Sequence, residues 1–322
     1  MTEQRLHHTE HTLTVDAPAA ELYGLAADVT RWPALFGPSV HVEHQLREER
    51  AERFELWAVV NGEVGSWVSQ RALDPDRHRV TFAQVRSRAP IASMRGEWLF
   101  RALSPTRTEI VLRHTFSAVA DDPEAVRWIL EGLDRNSPEE LSALARLALY
   151  GHPVDDIVFS FTDTVPLTGA AADAYTFVHR ADRWARLLPH VGRVRLTTPS
   201  PEVQDLEMDT VTSDGSAHTT RSLRVCRSGE WIAYKQLVTP KLMLGHSGLW
   251  TFSDGPGGPV VTARHTVALD PAAVPEVLGE HATLAEAREY VREALGRNSR
   301  TTIEHADAYA SARRKRPVAR TA

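Results

Sequence analysis

Alternating apolar and polar positions fill most of the first half of the chain. Runs such as SVHVEHQL, RFELWAVV, HRVTFAQV and TEIVLRHTF have a period of two, and DPD, RAP and SPT interrupt them. This pattern is typical of antiparallel strands joined by tight turns. It predicts a meander that follows one leading strand, EHTLTVDA, and an Ala-rich helix, PAAELYGLAADV.

A long amphipathic helix is predicted to end this pattern, over about residues 121–150. Val126, Ile129, Leu130 and Leu133 recur there at helical spacing. Residues 136–140 include a proline, which could kink or break the helix. An antiparallel sheet must cover its apolar face, and a long helix gripped by a curved sheet leaves a cavity between the two. The pattern therefore predicts an α+β domain with an internal cavity.

The same order of motifs occurs twice. Four pairs are separated by nearly constant offsets: Trp32 and Trp184 by 152, Arg71 and Arg221 by 150, Trp98 and Trp250 by 152, and the two RHT segments by 151. The two RNS segments are 162 apart, which implies an insertion of about ten residues before a second long helix over about residues 283–309. We therefore expect two copies of one domain, 1–150 and 151–322.

Composition narrows the class of protein. The 322 residues are 42% hydrophobic and 25% charged, with a formal net charge of −5. This balance is typical of globular domains and argues against a general nucleic-acid binder. Neither a signal peptide nor a membrane-length apolar run is visible, and one cysteine, Cys226, fits a reducing compartment and a buried apolar role. We expect a cytoplasmic protein whose basic C-terminal tail is solvated.

Two hydroxyl–arginine pairs are the candidate chemistry. Ser69 and Arg71 in GSWVSQR, and Thr219 and Arg221 in GSAHTTR, are each two residues apart and therefore share a strand face. An arginine that faces an apolar cavity could orient a ketone and stabilise an enolate. The alternative is a solvent-facing arginine with a carboxylate partner. His218 is expected on the opposite face, at the surface, and no His and Asp are arranged to make Ser69 a nucleophile.

Aromatic and apolar side chains are the candidate walls of the two cavities. They give flat, stiff contact area that can fold a flexible substrate. The alternative is that they are ordinary core residues. The candidates in the first copy are Trp32, Phe36, Trp67 and Trp98, and those in the second are Trp184, Leu188 and Trp250. Ala217 is expected in the place of Trp67, which predicts two cavities of different shape.

These motifs resemble a known family. Trp-Pro-x-x-Phe, Trp-x-Ser-x-Arg and Gly-x-Trp, in this order and duplicated, resemble the two-domain aromatase/cyclases of bacterial aromatic polyketide pathways, which have the helix-grip (START/Bet v 1-like) fold. The resemblance covers about residues 8–310. It implies a lyase-type enzyme that closes the first ring of a poly-β-ketone by intramolecular aldol condensation and aromatises it by dehydration.

The resemblance also implies partners and roles. The substrate would be a thioester on an acyl carrier protein, reduced beforehand by a ketoreductase, and no metal or nucleotide cofactor is implied. Arg71 would be catalytic directly and Arg221 by the internal match, with Ser69 and Thr219 beside them. Gly37–Ser39 stands where single-domain relatives can carry a pocket tyrosine, so the general acid or base is left open.

Three questions remain open from the sequence. The second copy could be a second active site, perhaps for the dehydration, or a support domain. Either copy could be a non-catalytic carrier of an apolar molecule or have a structural role. Carrier proteins are usually acidic and their prosthetic arm bears a phosphate, so a basic cluster near the second cavity is a candidate docking site, with a solvated basic face as the alternative. The cluster consists of Arg183, Arg186, Arg193 and Arg195.

Overall fold

The computed structural model describes residues 5–211 and 217–314. The chain divides into two compact units, Met1–Asp155 and Asp156–Ala322. The sequence repeat placed the boundary between residues 150 and 151, within the same connection between the two copies.

Seven strands form the sheet of the first unit. They are β1 (His7–Val15), β2 (Ser39–Arg47), β3 (Ala51–Val60), β4 (Glu63–Asp74), β5 (Arg79–Arg86), β6 (Ile91–Ser104) and β7 (Arg107–Ala118). All pairings are antiparallel, in the order β1-β7-β6-β5-β4-β3-β2, so the leading strand pairs with the last one. Asn61 and Gly62 connect β3 and β4 with φ of 51° and 86°, the positive values that a two-residue hairpin turn requires.

Three helices complete the first unit: α1 (Ala19–Ala27), α2 (Trp32–Leu35) and α3 (Pro123–Leu149). At the start of α3, the Asp122 side chain accepts a hydrogen bond from the Glu124 backbone N–H, a typical N-cap. A kink or a break was predicted near Pro138, and the break is wrong, because α3 continues through this residue. Buried Ile129 and Leu141 lie on either side of the proline, and their packing offsets the backbone bond that it removes.

The second unit repeats this architecture. Its strands are β8 (Val158–Pro166), β9 (Val191–Ser200), β10 (Val203–Val211), β11 (Ala217–Arg227), β12 (Trp231–Val238), β13 (Met243–Gly255) and β14 (Gly258–Leu269). Its sheet order, β8-β14-β13-β12-β11-β10-β9, matches that of the first. The remaining helices are α4 (Val154–Ile157), α5 (Ala171–His179), α6 (Trp184–Leu187), α7 (Val274–Leu278) and α8 (Leu284–Arg314).

The inferred insertion corresponds to α7 and its flanking turns. Residues 119–122 separate β7 from α3, whereas residues 270–283 separate β14 from α8. The difference is 14 − 4 = 10 residues, so the prediction is confirmed. Thr283 and Glu286 then start α8 with a capping box, in which each side chain accepts the other residue's backbone N–H.

Each long helix covers one face of its sheet. In the first unit, Ile129 of α3 packs in a buried cluster with Met94 of β6 and Phe116 of β7. In the second unit, Ile303 of α8 packs with Trp250 and other buried residues of its sheet. The predicted α+β class, with a long helix gripped by an antiparallel sheet, is confirmed in both units.

Candidate active site

The first unit contains a cavity of about 140 Å³ between its sheet and α3. Five residues that the sequence proposed for the site line it, namely Trp32, Trp67, Ser69, Arg71 and Trp98. Most of the other lining side chains are apolar, among them Phe54, Leu56, Phe82, Met94 and Leu112. The cavity is therefore an apolar space with a few polar groups, which is the usual make-up of a small-molecule site.

Phe36 was expected in this wall, and that expectation is wrong. The side chain is fully buried and does not border the cavity. Its ring centroid lies 5.3 Å from that of Trp32 and 6.3 Å from that of Trp98, on which it stacks. Phe36 therefore supports the two cavity tryptophans from behind.

Arg71 is held by several partners at once. It is 2% exposed, and its Nε donates to Glu52 Oε1 at 2.7 Å. Nη1 donates to the carbonyl of Ala26 at 3.0 Å, and the guanidinium lies 5.0 Å from the ring centroid of Trp32. Burial lowers the pKa of Arg71, and the Glu52 carboxylate opposes that shift. Nη1 carries two N–H groups, and among the described residues only one of them has an acceptor, the Ala26 carbonyl.

Arg221 and Thr219 do not lie in the second cavity, so their predicted placement is wrong. The Arg221 side chain is 49% exposed and its guanidinium binds Asp205. Thr219 is exposed and donates to Asp209 at 2.7 Å. Both residues face outward, where an ion pair satisfies Arg221 and a hydrogen bond satisfies Thr219.

Arg224 is the structural counterpart of Arg71. It is 3% exposed and lines the second cavity. Its Nη2 donates to the carbonyl of Val178 at 2.7 Å, and its guanidinium lies 5.5 Å from the ring centroid of Trp184. Both arginines therefore bond the carbonyl of a short helix and lie beside the repeated tryptophan.

A difference in strand register explains why Thr219 and Arg221 were misplaced. Residues 61–62 connect β3 to β4, and residues 212–216 connect β10 to β11. Equivalent residues are separated by 152 positions before this connection, as for Glu52 and Gln204, and by 153 after it, as for Arg71 and Arg224, whereas the two matched motifs are separated by 150. Because side chains alternate along a strand, a shift of three residues moves every side chain to the other face. GSWVSQR and GSAHTTR are therefore similar in sequence but out of register.

With the strands of the two units aligned by their pairing, the counterparts of the other predicted site residues also change. The counterpart of Ser69 is Ser222, since each pairs across the sheet with a glutamine next to a β-bulge. The counterpart of Trp67 is Thr220, and the side chain of Ala217 is outside the described part of the chain. His218 is exposed, as expected, but it shares the cavity face with Thr220.

The second cavity has a volume of about 130 Å³ and lies between its sheet and α8. Trp184 and Trp250 line it, as predicted. Leu188 is 3% exposed and belongs to the core behind it, so its placement in the wall is wrong. The cavity is more polar than expected, and its polar lining residues include Arg224, Tyr234, Gln236, His246, His265 and Ser299.

The buried arginines differ in their partners. In the first unit Glu52 pairs across the strands with Arg71, and in the second Gln204 pairs with Arg224. Gln204 donates to the carbonyl of His179. Arg224 Nη1 is buried and has no acceptor among the described residues. An uncompensated cation therefore borders the second cavity, where burial lowers the pKa of Arg224.

Sequence reasoning missed Glu140, which lines the first cavity from α3. Withdrawal from bulk water, with a smaller contribution from Glu139, raises the pKa of Glu140 to about 8. A carboxyl group with this pKa is mostly protonated at neutral pH and can either donate or accept a proton. One sequence signal indicated this wall, namely the repeated RNS motif, since Asn136, Ser137, Asn298 and Ser299 all border the cavities.

The repeated Gly-x-Trp motif also has a structural explanation. Trp98 and Trp250 line the cavities, while Gly96 and Gly248 lie opposite Phe82 and Tyr234 on the neighbouring strands. A Cβ atom on Gly96 would come 2.4 Å from the Phe82 ring, and one on Gly248 would come 2.3 Å from the Tyr234 ring. Glycine therefore lets each aromatic ring lie across its neighbouring strand.

The candidate docking arginines are all exposed. Arg193 forms ion pairs with Glu207 and Asp209. No ion pair of Arg183, Arg186 or Arg195 occurs among residues 5–211 and 217–314. Three of the four cations therefore remain available to an acidic surface.

Two further expectations concern Cys226 and membrane spans. Cys226 is 5% exposed, as predicted, and burial raises the pKa of its thiol, which disfavours the reactive thiolate. No helix in the described part of the chain is both long and apolar enough to span a membrane.

Known proteins of similar sequence and structure identify the family. The family described as "Polyketide cyclase / dehydrase and lipid transport" matches residues 7–148. The granaticin polyketide synthase bifunctional cyclase/dehydratase of Streptomyces violaceoruber is 62% identical over 302 residues, 94% of this chain and 93% of the relative. The actinorhodin polyketide synthase bifunctional cyclase/dehydratase of Streptomyces coelicolor is 50% identical over 314 residues, 94% of this chain and 97% of the relative.

Solved structures agree with these relatives. The di-domain ARO/CYC BexL from the BE-7585A biosynthetic pathway matches with a TM-score of 0.79 and 44% identity, over 97% of this chain and 100% of that chain. The di-domain ARO/CYC StfQ from the steffimycin biosynthetic pathway matches with a TM-score of 0.77 and 36% identity, over 95% and 99% of the two chains. With two helix-grip units, two lined cavities and relatives that match over nearly its whole length, the chain belongs to the family of bifunctional polyketide cyclase/dehydratases.

Proposed function

We propose that this enzyme folds a poly-β-ketone, bound to a carrier protein and reduced at one carbonyl, and closes its first ring by aldol condensation in the first cavity. The observation that carries the proposal is a carboxyl group with a pKa of about 8, Glu140, facing an aromatic-walled cavity. Later loss of water makes the ring aromatic. The proposed setting is the cytoplasm.

Shape supplies much of the catalysis in this proposal. Ring closure requires two distant carbons of a flexible chain to meet, and holding them in contact can contribute ~7–11 kcal/mol to lowering the barrier. Trp32, Trp67 and Trp98 offer rigid, flat surfaces against which an enolised polyketone can lie. A folded substrate would therefore be near its reactive geometry before any proton moves.

Glu140 can serve both proton transfers of the aldol step. The enol carbon forms a bond to the carbonyl carbon, the enol O–H loses its proton, and the carbonyl oxygen gains one. A protonated carboxyl group can give its proton to the carbonyl oxygen while its second oxygen accepts the enol proton. The carboxyl group ends the step as it began, without a net charge in the apolar cavity, which avoids the cost of burying an ion.

Arg71 and Ser69 are proposed to orient the substrate. The spare N–H of Arg71 Nη1 can bind a ketone oxygen, and the Ser69 hydroxyl can bind a second one. Glu52 and the Ala26 carbonyl hold the guanidinium in place. Interactions that are fixed before the reaction require little reorganisation as charge develops.

The carrier protein is proposed to dock at the exposed arginines of the second unit. Arg183, Arg186 and Arg195 have the charge that complements an acidic domain and the phosphate of its prosthetic arm. Arg193 contributes less in this proposal because Glu207 and Asp209 already bind it.

The test is reconstitution with the ketosynthase, chain-length factor, carrier protein and ketoreductase. Glu140→Gln should lower the rate of first-ring closure by about 10²- to 10⁴-fold, the usual contribution of a positioned acid or base. Glu131→Gln changes an exposed carboxyl group on the same helix and is the matched control. If Glu140→Gln closes the ring at the wild-type rate, the assignment of Glu140 as the acid and base is wrong. Stoichiometric polyketone binding without any cyclised product would instead support a non-catalytic carrier.

A further inference from the structure

We propose that the cavity of the second unit is a second catalytic site, which eliminates water from the cyclised β-hydroxy ketone through a proton relay of Ser299, His265 and Tyr234 beside the cation of Arg224. The proposal rests on the proposed function and deepens it, because it assigns the dehydration to its own residues. All four side chains line the same cavity.

The relay is a continuous row of hydrogen bonds. Ser299 Oγ lies 2.8 Å from His265 Nε2, and Tyr234 Oη lies 3.1 Å from His265 Nδ1. His246 Nε2 lies 3.0 Å from the same Nδ1 atom, and His246 Nδ1 lies 2.8 Å from Gln236 Oε1. The imidazole of His265 therefore connects two hydroxyl groups at the cavity wall.

The amide of Gln236 sets the direction of these bonds. Its Oε1 can only accept, so His246 carries its proton on Nδ1 and leaves Nε2 as an acceptor. His265 must then carry its proton on Nδ1, and its Nε2 accepts from the Ser299 hydroxyl. The single Nδ1–H of His265 is then shared between the two acceptors His246 Nε2 and Tyr234 Oη, so the proton of Tyr234 itself is free for a group in the cavity.

Both imidazoles are neutral at physiological pH, as the relay requires. Burial lowers the pKa of His265 to about 4. Burial, followed by the neighbouring His265, lowers the pKa of His246 well below its usual value. A neutral His265 can accept a proton at Nε2 and release one from Nδ1 without charge separation across the cavity.

Arg224 adds the electrostatic part of the site. Its buried Nη1 has no acceptor among the described residues, and Gln204 occupies the place that holds a carboxylate in the first unit. Leaving a buried cation unpaired is unfavourable. An oxygen with developing negative charge would supply the missing partner, which points to an enolate as the ligand.

The first cavity lacks this relay, although its frame is the same. Phe82 stands opposite Gly96 as Tyr234 stands opposite Gly248. Met94 has the place of His246, and His114, which pairs with Gly96, has the place of His265. The Nδ1 atom of His114 has no hydrogen-bond partner among the described residues. The hydroxyl connection at the imidazole Nδ1 atom is therefore specific to the second cavity.

The proposed step moves protons only between oxygen and nitrogen atoms. The substrate enters as the enol of the β-hydroxy ketone. Its enol O–H gives a proton to Ser299 Oγ while Ser299 passes its own to His265 Nε2. His265 passes the Nδ1 proton to Tyr234, and Tyr234 protonates the β-hydroxyl. The enol C–O becomes C=O, the double bond moves to the α,β position, and the C–O bond to the hydroxyl breaks, releasing water. Arg224 stabilises the negative charge that develops on the enol oxygen.

The experiment measures water elimination from a soluble probe, 5-hydroxycyclohexane-1,3-dione, whose dehydration gives resorcinol. The full chain should accelerate resorcinol formation over buffer. Tyr234→Phe, which installs the residue of the first unit, and Ser299→Ala should each lower kcat by about 10²-fold or more. His246→Met should lower kcat less and leave KM unchanged, because His246 acts only by fixing the tautomer of His265.

Tyr175→Phe is the matched control, because Tyr175 is buried in the same unit and does not border the cavity. It should dehydrate the probe at the wild-type rate. No acceleration by the wild-type chain, or wild-type rates from both Tyr234→Phe and Ser299→Ala, would overturn the proposal. Unfolding curves of the variants show whether a lost rate reflects a lost fold.

The reconstituted pathway separates this proposal from the proposed function. Tyr234→Phe should still close the ring and should accumulate a cyclised compound that is heavier than the aromatic product by one water. If the wild-type chain closes no ring, the proposed function fails. If Tyr234→Phe gives the aromatic product as fast as the wild type, only the second catalytic site fails.

Discussion

The two cavities share a buried arginine and a histidine on the sheet, and they differ in which wall carries the remaining ionisable groups. In the first, the carboxyl of Glu140 comes from the long helix, and Thr302 stands there in the second. In the second, Tyr234 and His246 come from the sheet, where the first has Phe82 and Met94. The repeated frame is therefore the same, while the chemistry within it differs. This division suits an enzyme that performs two successive reactions on one substrate.

The buried arginines show the same contrast in electrostatics. Arg71 binds Glu52 directly, so the first cavity borders a neutralised pair. Arg224 binds a carbonyl and has no carboxylate partner among the described residues. A neutral pair suits ring closure between uncharged carbonyls, whereas a lone cation favours a substrate that develops negative charge.

The largest effect should come from breaking the Glu52–Arg71 pair. Glu52→Ala leaves a buried cation without its partner and should lower the free energy of unfolding of the first unit by about 3–5 kcal/mol. Gln204→Ala, at the equivalent place, removes a neutral partner and should cost about 1–3 kcal/mol. Urea unfolding of both variants checks the comparison. Equal losses would show that the two arginines are held in the same way.

The next-largest effect should be a pH-dependent change in stability caused by Glu140. Its folded pKa of about 8 is above the model-peptide value of 4.5, so the folded chain binds more protons between these values. The contribution of Glu140 to the free energy of unfolding is fully present below pH ~4.5. It falls by about 1.4 kcal/mol per pH unit as pH rises, until about pH 8. Glu140→Gln should therefore gain stability relative to the wild type as pH rises from 5 to 8. A pH-independent difference would contradict the raised pKa.

The smallest effect should come from the docking arginines. Reversing the charges of Arg183 and Arg186 should raise KM for carrier-bound substrate several-fold and leave kcat for the soluble dehydration probe unchanged, because exposed charges act mainly on association. Reversing Arg193 should change KM less, since carboxylates already neutralise it. An unchanged KM in the double reversal would remove the docking surface from the proposal.

Much of the fold could be predicted from the sequence because it depends on periodicity. Local sequence patterns predict the strands, the long helices and the insertion of ten residues. The same holds for three residues of the first cavity. The sequence repeat predicted Trp32 and Trp98, and the strand face shared with Ser69 predicted Arg71. Pro138 did not follow the local pattern, because packing of α3 against the sheet outweighs the lost backbone bond.

The residues of the second cavity could not be predicted from the sequence in the same way. The similar motifs GSWVSQR and GSAHTTR are three residues out of structural register, so a good sequence match selected Arg221 instead of Arg224. Glu140 and Tyr234 belong to no repeated motif, and the RHT motif that contains His265 does not show that its side chain borders a cavity. Only the packing of helix against sheet places these residues in the cavity walls. Their altered pKa values come from burial, which a sequence pattern does not report.

The most direct test of the central claim compares Arg224→Met with Arg221→Met in the dehydration of 5-hydroxycyclohexane-1,3-dione. The two arginines are three residues apart, but one is buried at the cavity and the other is paired at the surface. We expect Arg224→Met to lose about 10²-fold or more in kcat and to remain folded, because it removes an unpaired buried cation. Arg221→Met should keep the wild-type kcat. The opposite result, a loss with Arg221→Met and none with Arg224→Met, would contradict the account of two cavities with two chemistries.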